Sequence, residues 1–469
     1  MANQISDADL FRDAISTTEL DGKRKWIYPR IVEGMFYKWR TYFSWALMAA
    51  LFAGPWLEWN GHPLFLFNVL ARKFIFFGVP FVPQDFHLVA IGLLTFIVFI
   101  ILFTVNFGRV WCGWACPQTI FMEMVFRKIE NAIEGDFSAQ KRLDKQEWNI
   151  EKLWKKGLKH FLFFTISFFI ANTFLAYLIG KKELITLVES SPTENVSTFT
   201  ALVVFTFTFY FVFAKLRELA CIVICPYGRL QSVLLDRNSM IVAYDHKRGE
   251  KRGRITKKEE AADPNKGDCI DCKICVQVCP TGIDIRNGNQ LECIGCTACI
   301  DACDSVMDKI SKPKGLIRYA SEHTISTGTP YTFTKRSKAY TVVLTLLLSV
   351  FVFLLVTRND VETTVLRVPG LMYQTTDAGN YTNLYNLEVV NKTFKSIPIQ
   401  LHTTLPGATI KIINAEGLEA KEGESAKATF FLELPAAAIK GHQTPVEIEV
   451  LSDGVVVDKV KTNFLGPAI

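Results

Sequence analysis

Five long apolar runs limit the folds that are open to this chain of 469 residues. A helix needs about 20 residues to cross the ~30 Å hydrocarbon core of a bilayer, and each run is close to that length. Trp and Tyr residues lie at several of the run ends, as they do at membrane interfaces. A single run of this kind also suits a buried core helix, but five in one chain favour membrane helices. We therefore predict about five transmembrane helices, at residues 41–57, 86–107, 161–179, 198–214 and 339–356.

A sixth apolar stretch, residues 64–82, is less regular. It is interrupted by Arg72, Lys73, Gly78 and Pro80. Charges and helix-breaking residues in the middle of a run disfavour a full membrane crossing. We predict an interfacial or re-entrant segment here.

The distribution of Lys and Arg predicts the orientation in the membrane. The segments before run one, between runs two and three, and between runs four and five contain 7, 10 and 21 of these residues. The two intervening loops contain 2 each. Because positively charged loops stay in the cytoplasm, we expect the N-terminus and the loops at 109–159 and 215–338 to be cytoplasmic. The C-terminal tail then lies in the periplasm of a bacterial inner (plasma) membrane, and no signal peptide is visible near Met1.

The tail from residue 357 to residue 469 has a different pattern. Short runs alternate apolar and polar residues and are separated by Gly, Pro, Asn and Asp. About seven strands of this kind in ~110 residues indicate an all-β, immunoglobulin-like domain. It shows no nucleophile–base pair or metal-ligand cluster, so a docking or folding role is favoured.

Eight cysteines between residues 269 and 303 form two copies of one pattern. The first copy contains Cys269, Cys272, Cys275 and Cys279, and the second contains Cys293, Cys296, Cys299 and Cys303. Both have the C-x2-C-x2-C-x3-C spacing of bacterial two-cluster ferredoxins, in which the fourth cysteine of each copy binds the other cluster. We therefore predict a cytoplasmic ferredoxin-like α+β domain that carries two [4Fe–4S] clusters and transfers electrons.

The crossed pattern assigns the ligands of each cluster. One set is Cys269, Cys272, Cys275 and Cys303, and the other is Cys293, Cys296, Cys299 and Cys279. Two zinc sites are the alternative, since zinc also binds four thiolates, but the doubled spacing favours clusters. Asp304 stands where the first copy has Pro280, so we expect a more polar environment near Cys303.

A second cysteine pattern, CxxxCP, follows two of the apolar runs. It contains Cys112 and Cys116 after run two and Cys221 and Cys225 after run four. Cysteines four residues apart lie on one face of a helix. If runs one–two and three–four are internal repeats, the two pairs meet at the cytoplasmic membrane face. Four thiolates there would suit a soft ion such as Cu(I) or a third iron–sulfur cluster. A redox-active dithiol and buried structural cysteines remain as further interpretations.

Other cofactors are less well supported by the sequence. The histidines do not face each other within the apolar runs, so a haem b is not expected. No GxGxxG nucleotide-binding loop is present, which predicts that electrons arrive from a partner, either a cytoplasmic donor or a quinol. A net charge of +6 does not indicate a nucleic-acid-binding protein.

The order of these motifs resembles the cytochrome c oxidase accessory protein family, CcoG/FixG/RdxA. The matching stretches are CGWACPQ, CIVICPYGRLQS and residues 269–304, followed by the β-rich tail. This resemblance implies a membrane polyferredoxin-like cupric reductase that converts Cu(II) to Cu(I) during assembly of a haem–copper cytochrome c oxidase. Copper ion and the oxidase or its assembly factors would be its partners.

These observations predict a multi-domain protein with three candidate functions. The domains are a cytoplasmic segment at 1–40, a membrane domain at 41–240, the ferredoxin domain at 241–338, a fifth membrane helix at 339–356 and the periplasmic domain at 357–469. The first function is a cupric reductase that uses Cys112, Cys116, Cys221 and Cys225 as its reaction site. The others are a non-catalytic copper-binding assembly scaffold and a quinol-linked electron-transfer subunit. The sequence does not determine the oligomeric state, and a homodimer is one of the states it allows.

Overall fold

The computed structural model describes residues 17–18, 23–69, 73–253, 266–370, 372–376, 379–413 and 417–467. The described residues form two compact bodies. The first body falls within Met1–Gly54, Ile91–Ala176 and Lys182–Ser349, and the second within Pro55–Ala90, Tyr177–Lys181 and Val350–Ile469.

Among the described residues, four helices are long and apolar enough to cross a membrane. They are Pro83–Phe107, Ile150–Ile179, Val196–Leu216 and Lys335–Val356. They contain the predicted runs two to five. At most 28% of the apolar window of any of them is buried within the protein. Apolar side chains left outside the protein core on such long helices are expected to face lipid.

The first predicted run differs from these four helices. It forms the helix Met35–Ala53, which begins before the expected start at residue 41 and includes Lys38 and Arg40. Within the described part of the chain this helix is not among those long and apolar enough to span. Four of the about five expected spans are therefore supported by helix length and composition, and a crossing by Met35–Ala53 stays a prediction.

The described residues between 64 and 82 form a small antiparallel sheet, and their predicted interfacial or re-entrant position stays a prediction. Its strands are Phe65–Asn68, Lys73–Phe76 and Val79–Phe81. Phe77 and Gly78 have positive φ values of 51° and 75° and make the turn between the last two strands. The sheet lies in the second body, together with the short strand pair Glu58–Trp59 and His62–Pro63. The sequence did not predict these strands because the stretch is apolar almost throughout and shows no period-two alternation.

The rest of the second body is the all-β domain that the tail predicts. Its main sheet contains Val361–Arg367, Gln374–Thr375, Tyr381–Asn391, Thr409–Ile413 and Ser425–Leu434. A second sheet contains Gln400–Thr403, Gln443–Ser452 and Val455–Leu465, and Ile397–Pro398 pairs with Glu419–Ala420. Tyr385, Phe430 and Phe464 are fully buried between strands of the two sheets. This arrangement confirms the immunoglobulin-like prediction.

The ferredoxin region of the first body combines a short sheet with helices. Strand Ile241–Tyr244 pairs antiparallel with Ile317–Ala320, and the helices Ile274–Gln277 and Ala298–Lys309 each begin within a cysteine motif. Val242, Met307 and Ile317 form part of the core beneath the cysteines. The predicted α+β character of this domain is thus confirmed.

Shorter helices connect these elements in the first body. They are Val110–Trp114, Pro117–Ile120, Phe121–Phe126, Arg127–Glu134, Phe137–Lys145, Lys181–Glu189, Ala220–Ile224, Pro226–Leu234, His246–Gly249 and Glu322–Thr327. Phe121–Phe126, Val212–Leu216 and Ala220–Ile224 are π-helical, a form that often occurs at functional sites.

The segment before the first helix lies along the ferredoxin domain. The Arg30 amide donates a hydrogen bond to the Gln277 carbonyl at 2.9 Å. Asp301, between the last two cysteines of the second motif, accepts hydrogen bonds from the amides of Phe36 (3.2 Å) and Tyr37 (2.7 Å). These amides are unpaired donors of the first helical turn, so Asp301 caps the helix Met35–Ala53 from the ferredoxin domain.

Replacing this capping carboxylate should destabilise the protein. Asp301 is only 6% exposed, and Asp301→Ala would leave two amides without their acceptor. We expect a loss of about 1–3 kcal/mol, seen as a lower thermal midpoint of the detergent-solubilised protein. Asp301→Asn keeps one acceptor oxygen and should recover part of the loss. Asp308 lies on the same helix as Asp301 and forms an exposed ion pair with Lys314, so Asp308→Ala should change the thermal midpoint little. Equal midpoints for Asp301→Ala and Asp308→Ala would contradict the capping role.

Candidate metal centres

The eight ferredoxin cysteines line two cavities, and the last cysteine of each motif lines the cavity of the other copy. Cys269, Cys272, Cys275 and Cys303 line the first cavity. Cys279, Cys293, Cys296 and Cys299 line the second. Cys275 lines both cavities, so the two sites adjoin.

The arrangement of these thiols fits a cluster better than a single ion. Within the described residues, no three His, Cys, Asp or Glu side chains come close enough to hold one metal ion. Zinc would need four sulfurs at about 2.3 Å from a common point. Four thiols spread around a larger cavity can instead bind the separate iron atoms of a [4Fe–4S] cluster. The residues present therefore fit two clusters.

The two cysteine loops fold in the same way. Lys273 and Thr297 occupy equivalent positions, each with a left-handed φ (57° and 65°), and each directly precedes a short helix. Their surroundings differ, because the loop before Lys273 is exposed and the loop before Thr297 is buried. The repeated sequence therefore gives one local fold in two environments.

The crossed ligand sets give a prediction for single cysteines. Cys303→Ser should remove the cluster of the first motif, and Cys279→Ser that of the second. In each variant the iron content should fall from about eight to about four atoms per chain. Element analysis with EPR of the reduced protein measures this. Cys272→Ser removes a ligand of the first cluster and is the reference for its loss. If the last cysteine of each motif bound the cluster of its own motif, Cys279→Ser and not Cys303→Ser would lose the same cluster as Cys272→Ser.

Arginines compensate the charge that thiolates would carry in the second cavity. Burial raises the pKa of the Cys296 thiol to about 11, and the nearby Arg40 guanidinium limits the rise. Burial likewise raises the pKa of the Cys293 thiol to about 12, and Arg109 acts in the opposite direction. Buried thiols become thiolates readily only beside positive charge, which bound iron supplies.

The two CxxxCP elements have the same local structure. Cys116 and Cys225 are extended (φ −64°, ψ 124° and φ −69°, ψ 112°), and the proline after each opens a helix. Proline suits the first helical position, where its missing N–H would have no partner. Each extended cysteine therefore ends one helical turn and starts another.

The structure places the two elements side by side. The Cys112 thiol donates a hydrogen bond to Oε1 of Gln231, in the helix that follows Cys225, at 2.9 Å. Burial raises the pKa of the Cys112 thiol to about 11, with smaller contributions from Cys116 and Cys225. Burial also raises the pKa of the Cys221 thiol to about 12, and all three other cysteines add to it. The two elements thus lie next to each other, although within the described residues no three of their thiols are close enough to hold one metal ion. The raised pKa values of Cys112 and Cys221 differ from those of a reactive dithiol.

The CxxxCP element touches the second ferredoxin loop directly. Cys112 packs with Ile294 and Cys296. A methyl group on Gly113 would lie 2.7 Å from the Ile294 oxygen and 2.8 Å from the Cys296 nitrogen. The backbone of the CxxxCP element therefore packs directly against the backbone of the second ferredoxin loop. The Arg40 Nε donates to the Gly113 carbonyl at 2.8 Å and holds this contact from the first helix. The glycine between the two cysteines is the one local feature in the sequence that is consistent with this contact.

A buried ion-pair network supports the same region. The Arg217 guanidinium makes two 2.8 Å hydrogen bonds to the Glu130 carboxylate, and both residues are at most 5% exposed. Arg127 pairs with Glu123 at 2.6 Å and donates to the Pro280 carbonyl at 3.2 Å. Arg127 thereby links the helical stretch after Cys116 to the turn after Cys279. The sequence shows these charges but not their pairing.

Three family models match separate parts of the chain. Residues 216–322 match a 4Fe-4S dicluster domain, and residues 88–134 match a 4Fe-4S binding domain. Residues 351–467 match the IG-like fold at the C-terminal of FixG. The first two matches contain the ferredoxin motifs and both CxxxCP elements.

Curated relatives cover most of the sequence. Protein RdxA of Cereibacter sphaeroides is 37% identical, over 78% of this chain and 79% of RdxA. Protein RdxB of the same organism is 36% identical, over 83% of this chain and 84% of RdxB. Nitrogen fixation protein FixG of Rhizobium meliloti is 38% identical over 67% of this chain, and the match spans 61% of the length of FixG.

Proposed function

The chain belongs to the family of FixG, RdxA and RdxB, iron–sulfur electron-transfer proteins, and we propose that it is a membrane cupric reductase. In this proposal it delivers single electrons to Cu(II) at Cys112, Cys116, Cys221 and Cys225. The Cu(I) produced would be used to assemble a haem–copper cytochrome c oxidase. The ferredoxin domain would face the cytoplasm and the C-terminal domain the periplasm.

One observation carries the proposal: neighbouring residues connect the first cluster cavity to the second, and the second cavity to a CxxxCP cysteine. Cys275 lines both cavities, and Cys296 of the second cavity packs against Cys112. When bound, each cluster accepts and releases one electron at a time. Cys112 is the buried CxxxCP cysteine of this contact, and we therefore place the end of the electron path at the CxxxCP elements.

The chemistry of the terminus favours copper as substrate. Each Cu(II) that gains one electron becomes Cu(I), and no proton or bond change is needed for that step. Thiolates prefer the softer Cu(I), so sulfur ligands favour the reduced product. Cys112 is buried, and its burial would restrict the access of water to an ion bound beside it.

The proposal is tested with purified protein reduced in the absence of oxygen. After removal of excess reductant, Cu(II) is added and Cu(I) is trapped with a coloured Cu(I)-specific chelator. We expect Cu(I) to form in proportion to the electrons stored in the protein, and repeatedly when reductant is resupplied. Stoichiometric copper binding without turnover would instead support an assembly scaffold. Cluster reduction by a quinol analogue, blocked by a quinone-site inhibitor, would support a quinol-linked subunit.

A third cluster at the CxxxCP cysteines is the second candidate. The observation in its favour is that the model matching residues 88–134, which contain Cys112 and Cys116, describes 4Fe-4S binding. Iron clearly above eight atoms per chain, with matching sulfide, would support it. The electrons would then leave through that centre rather than directly to copper.

A further inference from the structure

The two cysteine loops differ sharply in their access to solvent. Of the twelve cysteines, all within the described residues, Cys272 is the only exposed one. Asp271 and Lys273 beside it are also exposed. In the second motif, residues 294–297 are buried, and Gly295 approaches the Arg109 carbonyl where Gly113 approaches Cys296. The second motif is therefore covered by the CxxxCP element, and the first motif reaches the surface of its body.

The surface around Cys272 carries excess positive charge. The chain before the first motif runs beside it, because the Gly253 amide donates to the Cys269 carbonyl at 3.1 Å and the Gly267 amide to the Lys251 carbonyl at 3.0 Å. These bonds hold Lys251 and Arg252 next to the cysteine loop, and both are exposed.

Two acidic groups of this surface, among the residues that the structure describes, each have a positively charged partner. Glu250 pairs with Arg252 at 3.0 Å, and Asp271 pairs with the buried Arg286. In the part of the chain that the structure describes, Lys251 and Lys273 form no ion pair. Their charges are therefore free to attract a negatively charged partner across solvent.

We propose that this surface, the Cys272 face, docks an acidic one-electron carrier protein that supplies the ferredoxin domain. The carrier loses one electron and the ferredoxin domain gains one, with no bond made or broken. Charge complementarity of this kind steers association and fixes the orientation of the partner. The inference rests on the proposed electron-transfer function but does not depend on copper as the final acceptor.

Binding is measured first, with acidic flavodoxin as the probe and the full-length protein in detergent. Calorimetric titration should show binding that weakens as salt is raised, because exposed charges are screened. Lys251→Glu combined with Arg252→Glu should weaken binding at low salt by about tenfold or more. Lys395→Glu combined with Lys440→Glu changes the net charge equally on exposed residues of the C-terminal domain and should leave the affinity unchanged.

Electron transfer gives the second readout. Flavodoxin hydroquinone is mixed with the oxidised protein, and the flavodoxin semiquinone reports the electron lost. The Lys251/Arg252 variant should be reduced about tenfold more slowly by flavodoxin, but at the normal rate by the neutral radical of 5-deazariboflavin. If the glutamate variant lacks iron, Lys251→Gln combined with Arg252→Gln repeats the test without charge reversal.

Three results would overturn the docking face: no flavodoxin binding by the natural sequence, unchanged affinity in both Lys251/Arg252 variants, or an equal loss in the Lys395/Lys440 control. A protein that binds flavodoxin through this face but fails to reduce Cu(II) would refute the copper proposal alone.

Discussion

Cys112→Ser combined with Cys221→Ser should lower the rate of Cu(II) reduction by at least about 100-fold. The reason is that each CxxxCP element then loses one of the sulfurs that we assign to the copper site. Losing an outer-shell partner of a metal site alone costs about 10–100-fold in affinity or activity, and direct ligands should matter more. The measurement is anaerobic Cu(I) formation by pre-reduced protein, as a rate per chain.

The double variant needs evidence that the ferredoxin domain is intact. Iron and sulfide content and the EPR signal of the reduced protein should stay at the level of two clusters, because the eight ferredoxin cysteines are unchanged. Cys116→Ser combined with Cys225→Ser, which removes the other sulfur of each pair, should show a similar loss. Unchanged Cu(II) reduction in both double variants would refute the CxxxCP site. A fall in iron would instead point to a third cluster there.

Much of this site could be predicted from residue spacing because iron–sulfur ligation is local. The C-x2-C-x2-C-x3-C spacing brings three sulfurs together in one loop, and its duplication predicts the crossing of Cys279 and Cys303 that the cavities show. The membrane helices and the all-β tail follow in the same way from apolar length and alternation.

The contacts between elements were beyond sequence reasoning. In the sequence, Asp301 is only a polar residue between two cysteines. In the structure its carboxylate caps a helix that begins more than 260 positions earlier in the chain. Gly113 reads as a small residue in CGW, and only the fold shows that Cys296 lies against it. The strand pairing between residues 65 and 81 was not predicted for a related reason, because the local pattern does not reveal which strands pair.

Gly113→Ala should uncouple the CxxxCP cysteines from the second ferredoxin loop. The added methyl group would lie within 2.9 Å of three atoms, the Ile294 oxygen and the nitrogen and Cα of Cys296. All three belong to the backbone, so a side-chain rotation cannot relieve the clash, and the two loops must separate. Misplacement by about 1 Å can cost an enzyme about 100-fold in rate, and we expect a loss of that order in Cu(II) reduction.

The same variant should keep both clusters, because every cysteine is retained, and this separates it from the cysteine variants. Reduction of the ferredoxin domain by dithionite should therefore stay fast while Cu(I) formation slows, and hydrogen exchange should rise at residues 109–116 and 293–297. Gly157→Ala is the matched control, since nothing lies within 4 Å of the added methyl group. Normal Cu(I) formation in Gly113→Ala would show that electrons reach copper without this contact. The copper site would then have to lie outside the CxxxCP elements.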